Sequence, residues 1–107
     1  MHDVSFYSKF SEIIRTRNVL RKEGIYTEES RRFFRAIRYS LASLKDEYRM
    51  ILVNCYFELK YQFWWVDYFC KSSFYRKRYW AIVAFVRLFE MIYENCNDLS
   101  SYPSLSL

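Results

Sequence analysis

A chain of 107 residues with 52% hydrophobic content is long enough for one domain with a buried core, which excludes disorder as the default state. One Gly and one Pro exclude an all-β domain, which would need a turn signal every ~8 to 12 residues, and leave helices as the economical solution. The formal net charge of +5 hints at a polyanionic partner, and 11 Tyr, 10 Phe and 3 Trp supply large rings for the core, with stacking on bases as their second use.

Residues 5 to 22 place Phe6, Phe10, Ile13, Ile14, Arg17 and Leu20 at helical spacing, and Gly24 supplies a C-cap. Thr27 reads as the N-cap of a second helix over 28 to 41, with Glu28 and Glu29 in the first turn and Phe34, Ile37 and Leu41 as the inward stripe. Ser43, followed three residues on by Asp46 and then Glu47, reads as the capped start of a third helix, about 44 to 58. That helix carries Leu44, Tyr48, Ile51, Leu52, Cys55 and Leu59 on one face. The aromatic segment 61 to 69 is expected to form a fourth helix of two to three turns.

Ser72 or Ser73 can cap a long last helix over 73 to 95, in which Phe74, Arg78, Ala81, Ile82, Phe85, Leu88, Phe89 and Ile92 recur at helical spacing. The expectation is an all-α fold of about five helices, a compact bundle with a C-terminal helix-turn-helix and a long last helix. One domain is expected over 1–97, with N-terminal helices in 1–42, the helix-turn-helix in 43–96, and a mobile tail over 98–107.

Cys55, Cys70 and Cys96 form no CxxC pair, and the one histidine, His2, is terminal, so neither a metal site nor a cofactor is expected. An odd number of cysteines without a secretory signal fits reduced thiols in the cytoplasm, each read as a small buried hydrophobe. The longest apolar run, Tyr79 to Phe89, is interrupted by Arg87 and falls short of the ~20 residues that cross a bilayer, so no membrane partner is expected. With no glycine-rich phosphate loop, no HExxH and no nucleophile beside a base, the chain does not read as an enzyme. Glu58 and Asp67 read as a helix-end acid and a solvated residue.

Three windows hold cations and no acids: Arg15, Arg17, Arg21 and Lys22; Arg31, Arg32, Arg35 and Arg38; and Lys71, Arg76, Lys77 and Arg78. In the second, Arg31, Arg35 and Arg38 follow i, i+4, i+7 and would share one outward face, either solvated or set against phosphates. In the third, the cations follow two serines and alternate with Phe74, Tyr75 and Tyr79 at a helix start. That is the arrangement of a recognition helix, with Lys71, Ser72, Ser73, Tyr75, Arg76, Lys77 and Tyr79 as its candidate DNA contacts. Arg76 is expected to read a base edge, while Lys71 and Lys77 hold phosphates.

From Leu41 to about residue 90 the chain resembles the fourth region of bacterial sigma factors, and more closely the small phage regulators of the ArpU and RinA type. The first motif is LASLKDEYRMIL over 41–52 with CYFE over 55–58; the second is KSSFYRKR over 71–78, followed by Ala81 and Phe85. Lys60 to Phe69 is shorter and more aromatic than the family's scaffold helix, and Cys70 lies near where a turn glycine is common. The resemblance implies sequence-specific binding to double-stranded DNA in transcription control, with RNA polymerase as a second partner and a homodimer as a compatible assembly. The competing reading is a helical protein–protein adaptor or oligomerisation module without DNA binding.

Overall fold

Helix α1 (Val4–Glu23) stops where the chain turns left-handed: Gly24 has φ +64°, a conformation that strains any residue with a Cβ. Its N–H donates to Arg21 O (3.3 Å) and that of Ile25 to Leu20 O (3.1 Å), the paired bonds of a Schellman motif. Two residues later Thr27 accepts from Ser30 N (3.1 Å) and opens α2 (Glu28–Ser43). The computed structural model describes residues 4–58, 60 and 62–98, and among these no strand occurs. Residues 99–107 of the expected mobile tail lie outside the described residues.

Ser43 does not cap the third helix; it is the last residue of α2. Helix α3 (Asp46–Leu52) opens from Lys45 without a side-chain cap, and the junction is closed from within α3 by Arg49. Its Nε donates to Leu41 O (3.0 Å), its Nη2 to Leu44 O (2.8 Å), and its Nη1 to Asp46 Oδ1 (3.0 Å). The fork thus adds a second donor to Leu41 O, which already accepts from Leu44 N (3.2 Å), and caps Leu44 O, a task for several donors in fixed geometry. Arg49→Ala is expected to lower the free energy of unfolding by about 2 to 3 kcal/mol, with Arg49→Lys restoring little. A loss under about 0.5 kcal/mol in chemical denaturation would show that water replaces the fork.

Beyond Leu52 the α3 helix widens into a π turn over Val53–Phe57, with Glu58 N donating to Val53 O (2.7 Å). The wider turn lets two consecutive rings reach the core: Tyr56 meets Phe10 edge-on at 4.8 Å, and Phe57 lies 6.2 Å from Phe85. The fourth element, α4 (Lys71–Asp98), is the central helix, against which α1, α2 and α3 all pack. Tyr79, Ala81, Ile82, Val83, Phe85, Val86 and Phe89 are all buried, so over about three turns it is covered on most sides. Of the core residues expected from the sequence, Leu44, Ile51, Leu52, Phe74, Ala81, Ile82 and Phe85 are buried and Tyr48 is half-buried.

On α2 the buried stripe is Ser30, Phe33, Ala36, Ile37 and Ser40, leaving Phe34 and Leu41 half-buried. Ser40 is 0% exposed and its hydroxyl has no hydrogen-bond partner among the described residues. Ser40→Ala removes an unpaired buried hydroxyl and adds helix propensity, so it is expected to raise stability by about 1 kcal/mol. A drop in melting temperature would refute that.

The expected fourth helix shrinks to a single 3-10 turn, Trp64–Asp67, while Leu59 and Tyr61 lie outside the described residues. From this turn and the residues that follow it, Trp64, Trp65 and Phe69 all converge on Phe74. Among the described residues the fold therefore has four α-helices rather than five helices, and none of these is long and apolar enough to cross a membrane.

Candidate nucleic-acid interface

Helix α4 begins at Lys71, two residues earlier than expected, so Ser72 and Ser73 sit inside its first turn. Cys70 takes the cap position: its carbonyl accepts from Phe74 N (2.9 Å). The Ser73 N–H and then the Ser72 hydroxyl bond its sulfur and hold the exposed thiol below its usual range. The reading of Cys70 as a buried hydrophobe is thereby corrected; the helix start keeps it at the surface. Cys55 is half-buried, and burial pushes its thiol up.

Phe74 seats this helix start. It is 1% exposed and stacks on Trp65 with centroids 4.5 Å apart and rings within 6° of parallel, while Trp64 meets it edge-on at 5.9 Å. With Phe74 inward, Lys71, Ser72, Tyr75 and Arg76 are exposed and Ser73 is half-buried. Neither Lys71 nor Arg76 has an ion-pair partner among the described residues. The helix start thus displays two cations, hydroxyls and the first-turn N–H groups of Lys71 and Ser72 on a rigid aromatic base.

Three of the expected contacts stand elsewhere. Lys77 donates to Glu47 Oε2 at 3.0 Å and lies 5.3 Å from the Phe69 ring, so its charge braces α4 to α3. Tyr79 is 5% exposed because Tyr7 of α1 lies against it at 5.6 Å; it does not face solvent. Arg35 is also 5% exposed, which corrects its place on an outward phosphate stripe. Arg35, Ala36 and Ile37 are all buried, and three successive residues span ~200° of helix, so α2 is covered on more than one side at that level.

Arg31 and Arg38 are exposed, but they do not join the α4 start. The first turns of α2 lie against the far end of α4: Arg32 sits 6.0 Å over the Tyr93 ring, and Phe33 packs on Phe89 at 5.4 Å. Seventeen residues of α4 separate Arg76 from Tyr93, about 25 Å of helix. Arg38 instead joins Arg17 and Arg21 around an open groove of about 700 Å³ floored by Phe34, Leu41 and Phe57. Arg17 lies 4.8 Å over Phe57, and its partial burial, then Arg21, lower its pKa. Arg78, which is not among the expected contacts, is half-buried with its guanidinium 4.9 Å over the Tyr75 ring, beside a pocket. Its signal was present: a cation three residues after an exposed tyrosine on one helix is a ring-stacking spacing.

No family model matches the chain, and comparison with curated proteins and with solved structures finds no match to either.

Proposed function

We propose that this chain is a sequence-specific DNA-binding regulator of transcription whose α4 start enters the major groove. The observation that carries the reading is the free, acid-less display of Lys71, Ser72, Tyr75 and Arg76 on a helix start locked by the Phe74–Trp65 stack. Arg76 reads a base edge, Lys71 and the first-turn N–H groups hold phosphates, and Arg31 and Arg38 are left with sequence-independent contacts at most. The 3-10 turn takes the place of the scaffold helix, three residues before α4 begins. RNA polymerase is the natural second partner for a protein of this resemblance.

Fluorescence anisotropy of the whole chain on a labelled duplex at several salt concentrations tests the reading. Affinity should fall log-linearly with salt, and loss of one phosphate contact, as in Lys71→Ala, should reduce the slope by about one. Salt-independent association, or none, would refute it.

A second chain is favoured by one further observation. Trp80 (47% exposed) and Met91 (54% exposed) lie on one face of α4 at i, i+11 spacing, with exposed Arg87 between them, and are the apolar side chains that a second chain would meet there. A dimer through this face would present two α4 starts to two half-sites; the same face without DNA binding is the adaptor reading.

A further inference from the structure

Between the π turn, the 3-10 turn and the first turns of α4 lies a pocket of about 410 Å³, a size that suits a small ligand. Its wall includes the rings of Phe63, Trp65 and Tyr75, the amide of Gln62, and the cations Lys60 and Arg78, but no acid. Phe63 is 49% and Tyr75 41% exposed, so both keep ring surface available.

Arg78 makes this more than a dent in the surface. Its guanidinium lies 4.9 Å over Tyr75 and 5.9 Å over Phe74, and its Nε is buried without a hydrogen-bond partner among the described residues. A guanidinium already stripped of part of its hydration loses less than a solvated one when it takes up an anion. The neighbouring groups do not answer its charge: burial pushes the Cys55 thiol and the Tyr56 hydroxyl up, so both are neutral at neutral pH.

We infer that this pocket binds one nucleotide, with the base against the wall rings and the phosphate on Arg78 and Lys60. Rings accept any base face, the Gln62 amide offers a donor and an acceptor to a base edge, and a bare inorganic anion would leave the rings unused. The nucleotide is either free or an unpaired unit of a strand. The inference goes beyond duplex recognition and does not rest on it.

Trp64 and Trp65 both line the pocket, so tryptophan emission of the whole chain reports occupancy without any duplex present. Titration with deoxyadenosine monophosphate or with a short single strand should give a saturable change. A response to the single strand alone assigns the strand as source; a response to both admits the free nucleotide. Deoxyadenosine, which lacks the phosphate, should bind at least about tenfold more weakly, and Arg78→Gln should cost a similar factor toward the monophosphate. Gln62→Ala, at an exposed position, should weaken binding with an unchanged melting temperature, which guards against Arg78→Gln misfolding. No saturable change with either nucleotide form, or equal affinity for deoxyadenosine and its monophosphate, overturns the inference. So does an unaltered affinity in both variants.

Discussion

Phe85→Ala is expected to lower the free energy of unfolding by about 3 to 5 kcal/mol. Phe85 is 0% exposed on the central helix and touches rings from three directions: Phe10 of α1 edge-on at 5.5 Å, Phe57 of the π turn at 6.2 Å, and Phe89 at 6.1 Å. Truncation removes the transfer energy of the ring and leaves a cavity bounded by separate helices, none of which can collapse into it alone. A domain of this size is stable by only about 5 to 15 kcal/mol, so the variant should unfold at markedly lower denaturant. Phe85→Leu, closer in volume, should cost less than about 2 kcal/mol. If Phe85→Ala costs under about 1 kcal/mol, the residue is not in the core described here.

Phe74→Ala is expected to cost about 3 to 5 kcal/mol as well, and to weaken duplex binding beyond what instability explains. Phe74 is the common neighbour of Trp64, Trp65 and Phe69, so its loss unseats the aromatic turn from α4. The emission of Trp64 and Trp65 should move to longer wavelength, and the α4 start should lose its fixed direction. Phe74→Trp or Phe74→Leu should recover part of both. A Phe74→Ala variant that keeps native emission and full duplex affinity at a temperature where it is folded would break the link between seat and surface.

Much of the helical order was legible because it depends on local chemistry. Gly24 and Thr27 act through their own backbone neighbours, and both stand where the sequence placed them. The α4 stripe was legible because a helix buried by neighbours still obeys its own period. The errors arise where a neighbour decides. Ser43 had the spacing of a cap, but α2 runs through it and Arg49 closes the junction from the far side. The segment 61–69 has helical length, yet Trp64, Trp65 and Phe69 have one common target, Phe74, and packing on that ring leaves a single 3-10 turn in place of a helix.

The candidate site divides along the same line. Lys71, Ser72, Tyr75 and Arg76 are exposed as helical spacing from Phe74 requires. Helical spacing reports which way a side chain leaves its own helix, not what meets it there. Tyr79 meets α1, Lys77 meets Glu47 of α3, and Arg35 is enclosed. The gathering of Arg17, Arg21 and Arg38 around one groove likewise belongs to the packing of α1 on α2 and had no local signature.

A base-reading role for the exposed start of α4 rests on Arg76 and is measured through it. Duplexes enriched from a random pool by the wild-type chain are compared, by competition anisotropy at fixed salt, with single-base variants, using the wild type and Arg76→Ala. Arg76 is exposed and without an ion pair among the described residues, so the substitution should leave the unfolding transition in place. The wild type is expected to enrich a site containing a guanine, and Arg76→Ala to lose about 1 to 3 kcal/mol of preference there, with a smaller change in non-specific affinity. An Arg76→Ala chain that retains the full preference, or a wild type that enriches no site, would contradict it.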